Sequence, residues 1–69
     1  MLSLLHRCIA DGSRVEVIYM DGRNRFSQRT LRPLAIAGGK MKAYCYLRGG
    51  VRLFALDRVL SVQVRRRVS

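Results

Sequence analysis

At 69 residues the chain is one domain, and one this small buries only about 60% of the surface its unfolded chain exposes. An enclosed catalytic cavity is therefore not expected, and any site should be a surface groove or a shallow pocket. Lys+Arg number 14 against 4 Asp+Glu, a formal charge of +10. Only Lys40 and Lys42 are lysines, so the cations are overwhelmingly guanidinium, which is planar, forks onto phosphate with two hydrogen bonds and stacks on rings. Such an excess points to nucleic acid or another anionic surface as partner, against the plainer reading of a solvated basic face.

Residues 1–12 read as a short helix. Leu2, Leu5 and Ile9 recur at helical steps, Leu4 and Cys8 widen the stripe, and Gly12 caps the end. Arg14 to Met20 alternates as a strand, with Val15, Val17 and Tyr19 on one face and Arg14, Glu16, Ile18 and Met20 on the other. Asp21-Gly22 is a hairpin signal. A second strand is expected from Arg25 to Ile36, and Pro33, which cannot donate to a ladder, must bend it, bulge it or leave it at an edge. After Gly38-Gly39, a strand from Lys40 to Leu47 places Met41, Ala43, Cys45 and Leu47 inward and Lys40, Lys42, Tyr44 and Tyr46 outward. Gly49-Gly50 turns into a fourth strand, Val51 to Leu56. Asp57-Arg58 makes a corner, and a fifth strand, Val59 to Val64, carries Leu60, Val62 and Val64 on one side. Residues 65–69 read as a basic tail, frayed at Arg65 to Arg67.

A helix this short is marginal alone and must dock on the strands. Five short strands in a flat sheet leave open edges, which strong bending into a near-closed barrel avoids. The expected fold is mainly β: a small five-stranded SH3-like or Sm-like barrel over residues 14–64 with a short N-terminal helix.

Cys8 and Cys45 do not form a C-x-x-C pair and sit among apolar residues, so they read as small buried hydrophobes. No metal or other cofactor is expected. No secretory leader and no stretch near the roughly 20 apolar residues of a membrane span is evident, so the expectation is a soluble protein of the reducing cytoplasm.

The segment from Ala43 to Leu60 places Arg52 and Arg58 in otherwise apolar, strand-like surroundings. Together with Arg14-x-x-x-x-Tyr19, Ser27-x-Arg29-x-Leu31-x-Pro33, Ala43-Tyr44-Cys45, Arg52-x-Phe54 and Asp57-Arg58-Val59, in that order over roughly residues 4–64, it resembles a WYL domain. The tripeptide that names the family is missing: the chain reads Gly39-Lys40-Met41-Lys42 there and has no tryptophan. The resemblance implies an Sm-like barrel found in bacterial regulators, helicases and CRISPR-linked proteins, commonly following a helix-turn-helix. It further implies a sensor that binds nucleic acid or nucleotide-like ligands through basic residues. Arg29, Arg52 and Arg58 fall on those basic positions, and the chain has no room for a helix-turn-helix of its own.

From these residues the expected anion site is Arg52 and Arg58 gripping phosphate with Arg29 flanking, Arg58 being alternatively a partner of Asp57 or of a nearby carbonyl. Tyr44 and Tyr46 are candidates to stack on bases, Tyr44 alternatively packing beneath the helix. Ser27 offers a donor to phosphate, Arg32 extends the basic surface and Lys42 shares one strand face with the two tyrosines. Phe54 reads as core. His6 and Cys8 diverge on a helix and the acids are scattered, so no catalytic constellation is expected. The leading expectation is a non-catalytic module that binds single-stranded nucleic acid or a nucleotide-like ligand on an arginine-rich face, as an accessory to a larger regulatory or effector protein. The alternative is a docking or dimerisation module that pairs a basic face or an open strand edge with a partner protein or a second copy.

Overall fold

The computed structural model describes residues 2–65. A helix, α1 (Leu2–Asp11), is followed by β1 (Arg14–Met20), β2 (Phe26–Ala37), β3 (Lys40–Cys45) and β4 (Gly50–Ala55), then a 3-10 turn (Leu56–Arg58) and β5 (Val59–Arg65). The strands form one antiparallel sheet in the order β4-β3-β2-β1-β5. The fold is mainly β with a short N-terminal helix, as the alternation requires.

Helix α1 ends where Gly12 takes a φ of 73°, and the Gly12 and Ser13 amides both donate to the Cys8 carbonyl at 2.8 and 3.1 Å. A side chain at that φ would be strained, so the glycine sets the stop. The helix lays Leu5 and Cys8 onto the inner face of the sheet, where Val15, Val17, Leu31, Met41, Ala43, Cys45, Phe54 and Val59 complete a buried cluster. Both cysteines are buried, in keeping with a packing role.

The sheet is bent but not closed by hydrogen bonding between β4 and β5. Its two sides meet through side chains and the 3-10 turn. The Ala55 amide of β4 donates to the Tyr19 hydroxyl of β1 at 3.3 Å, and the Tyr19 ring meets Phe54 edge-on at 5.3 Å. The Leu56 amide donates to the Gly39 carbonyl at 3.0 Å, pinning the 3-10 turn to the β2–β3 turn. Phe54 is core, as its alternation predicts.

Three local readings are corrected, and a fourth gains detail. The hairpin signalled by Asp21-Gly22 forms, with a loop of three residues. Asp21 pairs with Arg25, the Asn24 amide donates to the Asp21 carbonyl, and Asn24, not Gly22, takes the left-handed φ of 58°. A three-residue loop with a left-handed third position suits the strand twist equally well, and the Asp21 carboxylate favours it by accepting the Arg23 and Arg25 amides at 2.9 and 3.0 Å. Leu47 does not face inward: β3 stops at Cys45, whose carbonyl accepts the Gly49 amide, and Leu47 is 72% exposed in the turn. Leu60 does not share a face with Val62 and Val64. The β1–β5 register shifts between Ile18 and Tyr19, so Leu60 is the extra, outward residue of a bulge and Val59 takes the core position. Arg65 is the last residue of β5 and lies opposite Arg14, rather than in a frayed tail; Arg66 and Arg67 lie outside the described residues. Pro33 behaves as expected. It sits beyond the last β1–β2 pair, Val15 with Leu31, and the β2–β3 register shifts between Pro33 and Ala35.

Candidate nucleic-acid interface

Residues opposite one another in an antiparallel pair project to the same side, so the registers sort the basic and aromatic residues onto two faces. Arg29 lies opposite buried Val17, and Arg52 opposite buried Ala43, so both belong to the inner face, at the rim of the core. Ser27 lies there as well. Its hydroxyl donates to the Tyr19 carbonyl at 3.4 Å, and Arg29 Nε lies 3.5 Å from Ser27 Oγ. Arg58, in the 3-10 turn, donates from Nη1 to the Asp21 carbonyl at 3.0 Å, which ties that turn to the first hairpin.

The outer face gathers a second set of basic and aromatic residues. Arg65 lies opposite Arg14 across β5 and β1, and the β1–β2 register, continued one residue past Val15 and Leu31, sets Arg14 beside Arg32. Arg32 in turn lies opposite Tyr44, and Tyr44 opposite Val51. Three guanidiniums and a tyrosine thus occupy one row across four adjacent strands. Tyr46 stands just beyond β3 but keeps its ladder bond, its amide donating to the Thr30 carbonyl at 3.3 Å. Its ring meets Tyr44 edge-on at 5.1 Å, and the Arg14 guanidinium lies 5.8 Å from its centroid. Lys42, opposite Ala35 and Leu53, is the next outward residue along β3.

The helix end shapes this cluster. A Cβ built on Gly12 would lie 3.3 Å from Arg32 Nη2, so the guanidinium fits against the bare backbone of the α1–β1 turn. The C-terminal end of a helix carries partial negative charge, which favours a cation there. Asp11 shapes the same turn, its Oδ1 accepting the Ser13 amide at 2.9 Å and the Ser13 hydroxyl at 2.6 Å. Asp11, Ser13, Arg14, Arg32, Tyr46 and Arg65 are among the walls of a groove of about 480 Å³, and a smaller depression of about 270 Å³ adjoins it, lined by Arg32, Leu34, Tyr44 and Tyr46. Arg65 Nη2 lies 3.1 Å from both carboxylate oxygens of Glu16. That hydrogen bond holds the Glu16 carboxyl below the usual carboxylate range, with a smaller contribution from Gln28.

Of the residues singled out from sequence, the structure gathers Arg32, Tyr44 and Tyr46 at one site with Lys42 nearby, places Ser27, Arg29 and Arg52 on the opposite face, and anchors Arg58 to the first hairpin. Arg14 and Arg65 were missed. Alternation puts Arg14 on the polar face, but only the register shows that it stands between two further arginines.

The WYL domain family matches residues 1–64. The chain belongs to that family. Comparison with curated proteins finds no significant match. Among solved structures, this WYL domain is similar to part of the proteasome accessory factor B/C (PafBC) of Arthrobacter aurescens, with a TM-score of 0.87 and 28% identity, over 96% of this chain and 11% of that one. The WYL domain thus spans only a small part of that protein's length. Among the described residues no helix is long and apolar enough to cross a membrane, and no group of three or more His, Cys, Asp and Glu is placed to hold a metal ion.

Proposed function

We propose that this WYL domain is a non-catalytic regulatory module that binds single-stranded nucleic acid across the outer face of its sheet, within a larger cytoplasmic regulator or effector. The observation that carries the reading is the row Arg65–Arg14–Arg32–Tyr44. Like charges directly opposite one another destabilise a sheet; Glu16 pairs with Arg65, and Asp11 adds a second carboxylate to the groove wall. Phosphates laid across the row would relieve that repulsion, and two tyrosine rings beside it offer the flat faces that unpaired bases use. A duplex hides those faces, which favours single strands. Arg29, Arg52 and Arg58 add to the field and offer secondary phosphate contacts at the inner rim, Ser27 orients Arg29, and Lys42 extends the outer track.

A second reading rests on β4, whose outer edge is unpaired and whose Val51 and Leu53 are 52% and 66% exposed. A strand of another protein or of a second copy would pair there. Titration with labelled single-stranded and duplex oligonucleotides of graded length at two salt concentrations separates the two. Nucleic-acid binding should prefer single strands and weaken steeply with salt. Affinity indifferent to salt, or unchanged in a folded Arg14→Ala/Arg32→Ala double variant, would exclude the outer-face reading, and a dimer persisting at high salt would favour the strand edge.

A further inference from the structure

The groove and its neighbouring depression differ in chemistry and share a wall. The larger compartment is lined by Arg14, Arg32 and Arg65 together with Asp11, Gly12 and Ser13 of the α1–β1 turn, while the smaller is walled by Leu34 and the two tyrosines. Arg32 and Tyr46 line both, so the compartments are continuous across those two side chains. The larger volume falls within the range of about 300–1,000 Å³ typical of small-ligand sites. The Tyr44 and Tyr46 rings stand at 74° to one another, so together they present two walls of the apolar compartment rather than one flat surface.

We infer that these two compartments form a seat for a single nucleotide in a fixed orientation, its phosphate among Arg14, Arg32 and Arg65 and its base against Leu34, Tyr44 and Tyr46. The inference rests on the nucleic-acid reading above and deepens it. A strand would be held chiefly at one unit, and a free mononucleotide would carry the essential recognition elements. Simple anion binding has no use for the apolar compartment, and an aliphatic or peptidic ligand has no use for three clustered guanidiniums. The phosphate–base pair uses both. Arg32 is the hinge of the arrangement: its guanidinium is held against Gly12 on the phosphate side, and its strand position opposite Tyr44 places its stem on the base side.

The test uses the whole chain, isotope-labelled, in NMR titrations with four probes: thymidylate, inorganic phosphate, thymidine and decathymidylate. Thymidylate should shift the Gly12, Ser13 and Arg32 amides and the Tyr44 and Tyr46 ring signals along one common saturation curve. Inorganic phosphate should move the first set alone. Tyr44→Leu should weaken thymidylate about tenfold, the scale of one lost base stack, and leave the phosphate response unchanged. Should that variant not fold, the wild-type comparison of thymidylate with phosphate still decides. Thymidylate acting no differently from phosphate, or shifting only residues around Arg52 and Arg58, would overturn the nucleotide seat. Decathymidylate binding in that same experiment would leave the broader function standing, whereas its failure to bind would bring down both.

Discussion

On the inner face of the sheet, Arg29 and Arg52 stand at the rim of a packed core and Arg58 is spent on a backbone carbonyl of the first hairpin. On the outer face, Arg14, Arg32 and Arg65 stand side by side with two tyrosines, Glu16 pairs with Arg65, and Asp11 lines the same groove. The same residue type does different work in the two places. An arginine that finds a carbonyl inside the fold stabilises the fold. Arginines lined up against each other raise its energy unless an anion lies among them. The contrast shows that guanidinium number alone does not locate a binding face; what matters is whether the fold has already satisfied those groups.

Adjacent residues of β2 test the division most strongly. Leu31→Ala empties a fully buried inner position and should cost about 2–5 kcal/mol. Its neighbour Arg32→Ala, on the outer side, should leave stability within about 0.5 kcal/mol yet weaken oligonucleotide binding. Thermal unfolding and fluorescence anisotropy on the two variants check both halves, and equal loss of affinity from Arg52→Ala would erase the distinction between faces. Gly12→Ala comes next. Its φ of 73° and the 3.3 Å approach to Arg32 Nη2 mean that it should cost about 1 kcal/mol and displace the guanidinium, lowering stability and affinity together.

Salt gives a finer reading. Removing Arg14 or Arg32 should reduce the slope of log affinity against log salt by about one phosphate contact each, measured by repeating the titration across salt concentrations. Glu16→Gln should act in the opposite sense and raise affinity a few-fold at low salt by releasing Arg65, a gain that fades as salt screens the groove. Acid should mimic that change. Glu16 is held below its ordinary value of 4.5, so its pair with Arg65 is intact above that value and is lost as pH falls through the lowered one. Asp21 follows the same sign. The Arg25 and Arg23 amides hold it below 3.8, so its support of the first hairpin is present above that value and disappears on further acidification. Asp21→Asn should therefore flatten the acid limb of the stability curve, read as melting temperature against pH, while Glu16→Gln removes the acid-induced rise in affinity.

Much of the fold was legible because its signals are local. Alternation marked the inward residues Val15, Val17, Met41, Ala43 and Cys45, Gly12 marked the helix end, and Pro33 announced a bend, a bulge or an edge, of which the register shift beside it is the outcome. Leu47 and Leu60 were misplaced because alternation carries no information about where a ladder stops or where a bulge inserts a residue. The candidate site was only half legible for a related reason. Arg32, Tyr44 and Tyr46 could be chosen by residue type, whereas Arg14 and Arg65 become site residues only through their neighbours on other strands.

The amino-acid order alone determined the strongly basic balance and the mainly β architecture with its short helix, since charge balance and apolar spacing are properties of the chain itself. The cross-strand register was decided in three dimensions. A two-residue Asp21-Gly22 turn would bring Met20 opposite Arg23 and hence Arg14 opposite Arg29, whereas the observed three-residue loop pairs Met20 with Phe26 and sets Arg14 beside Arg32. Loop length fixes which side chains meet across a hairpin, and here the Asp21 carboxylate, by holding two loop amides, selects the longer loop and with it the row of arginines.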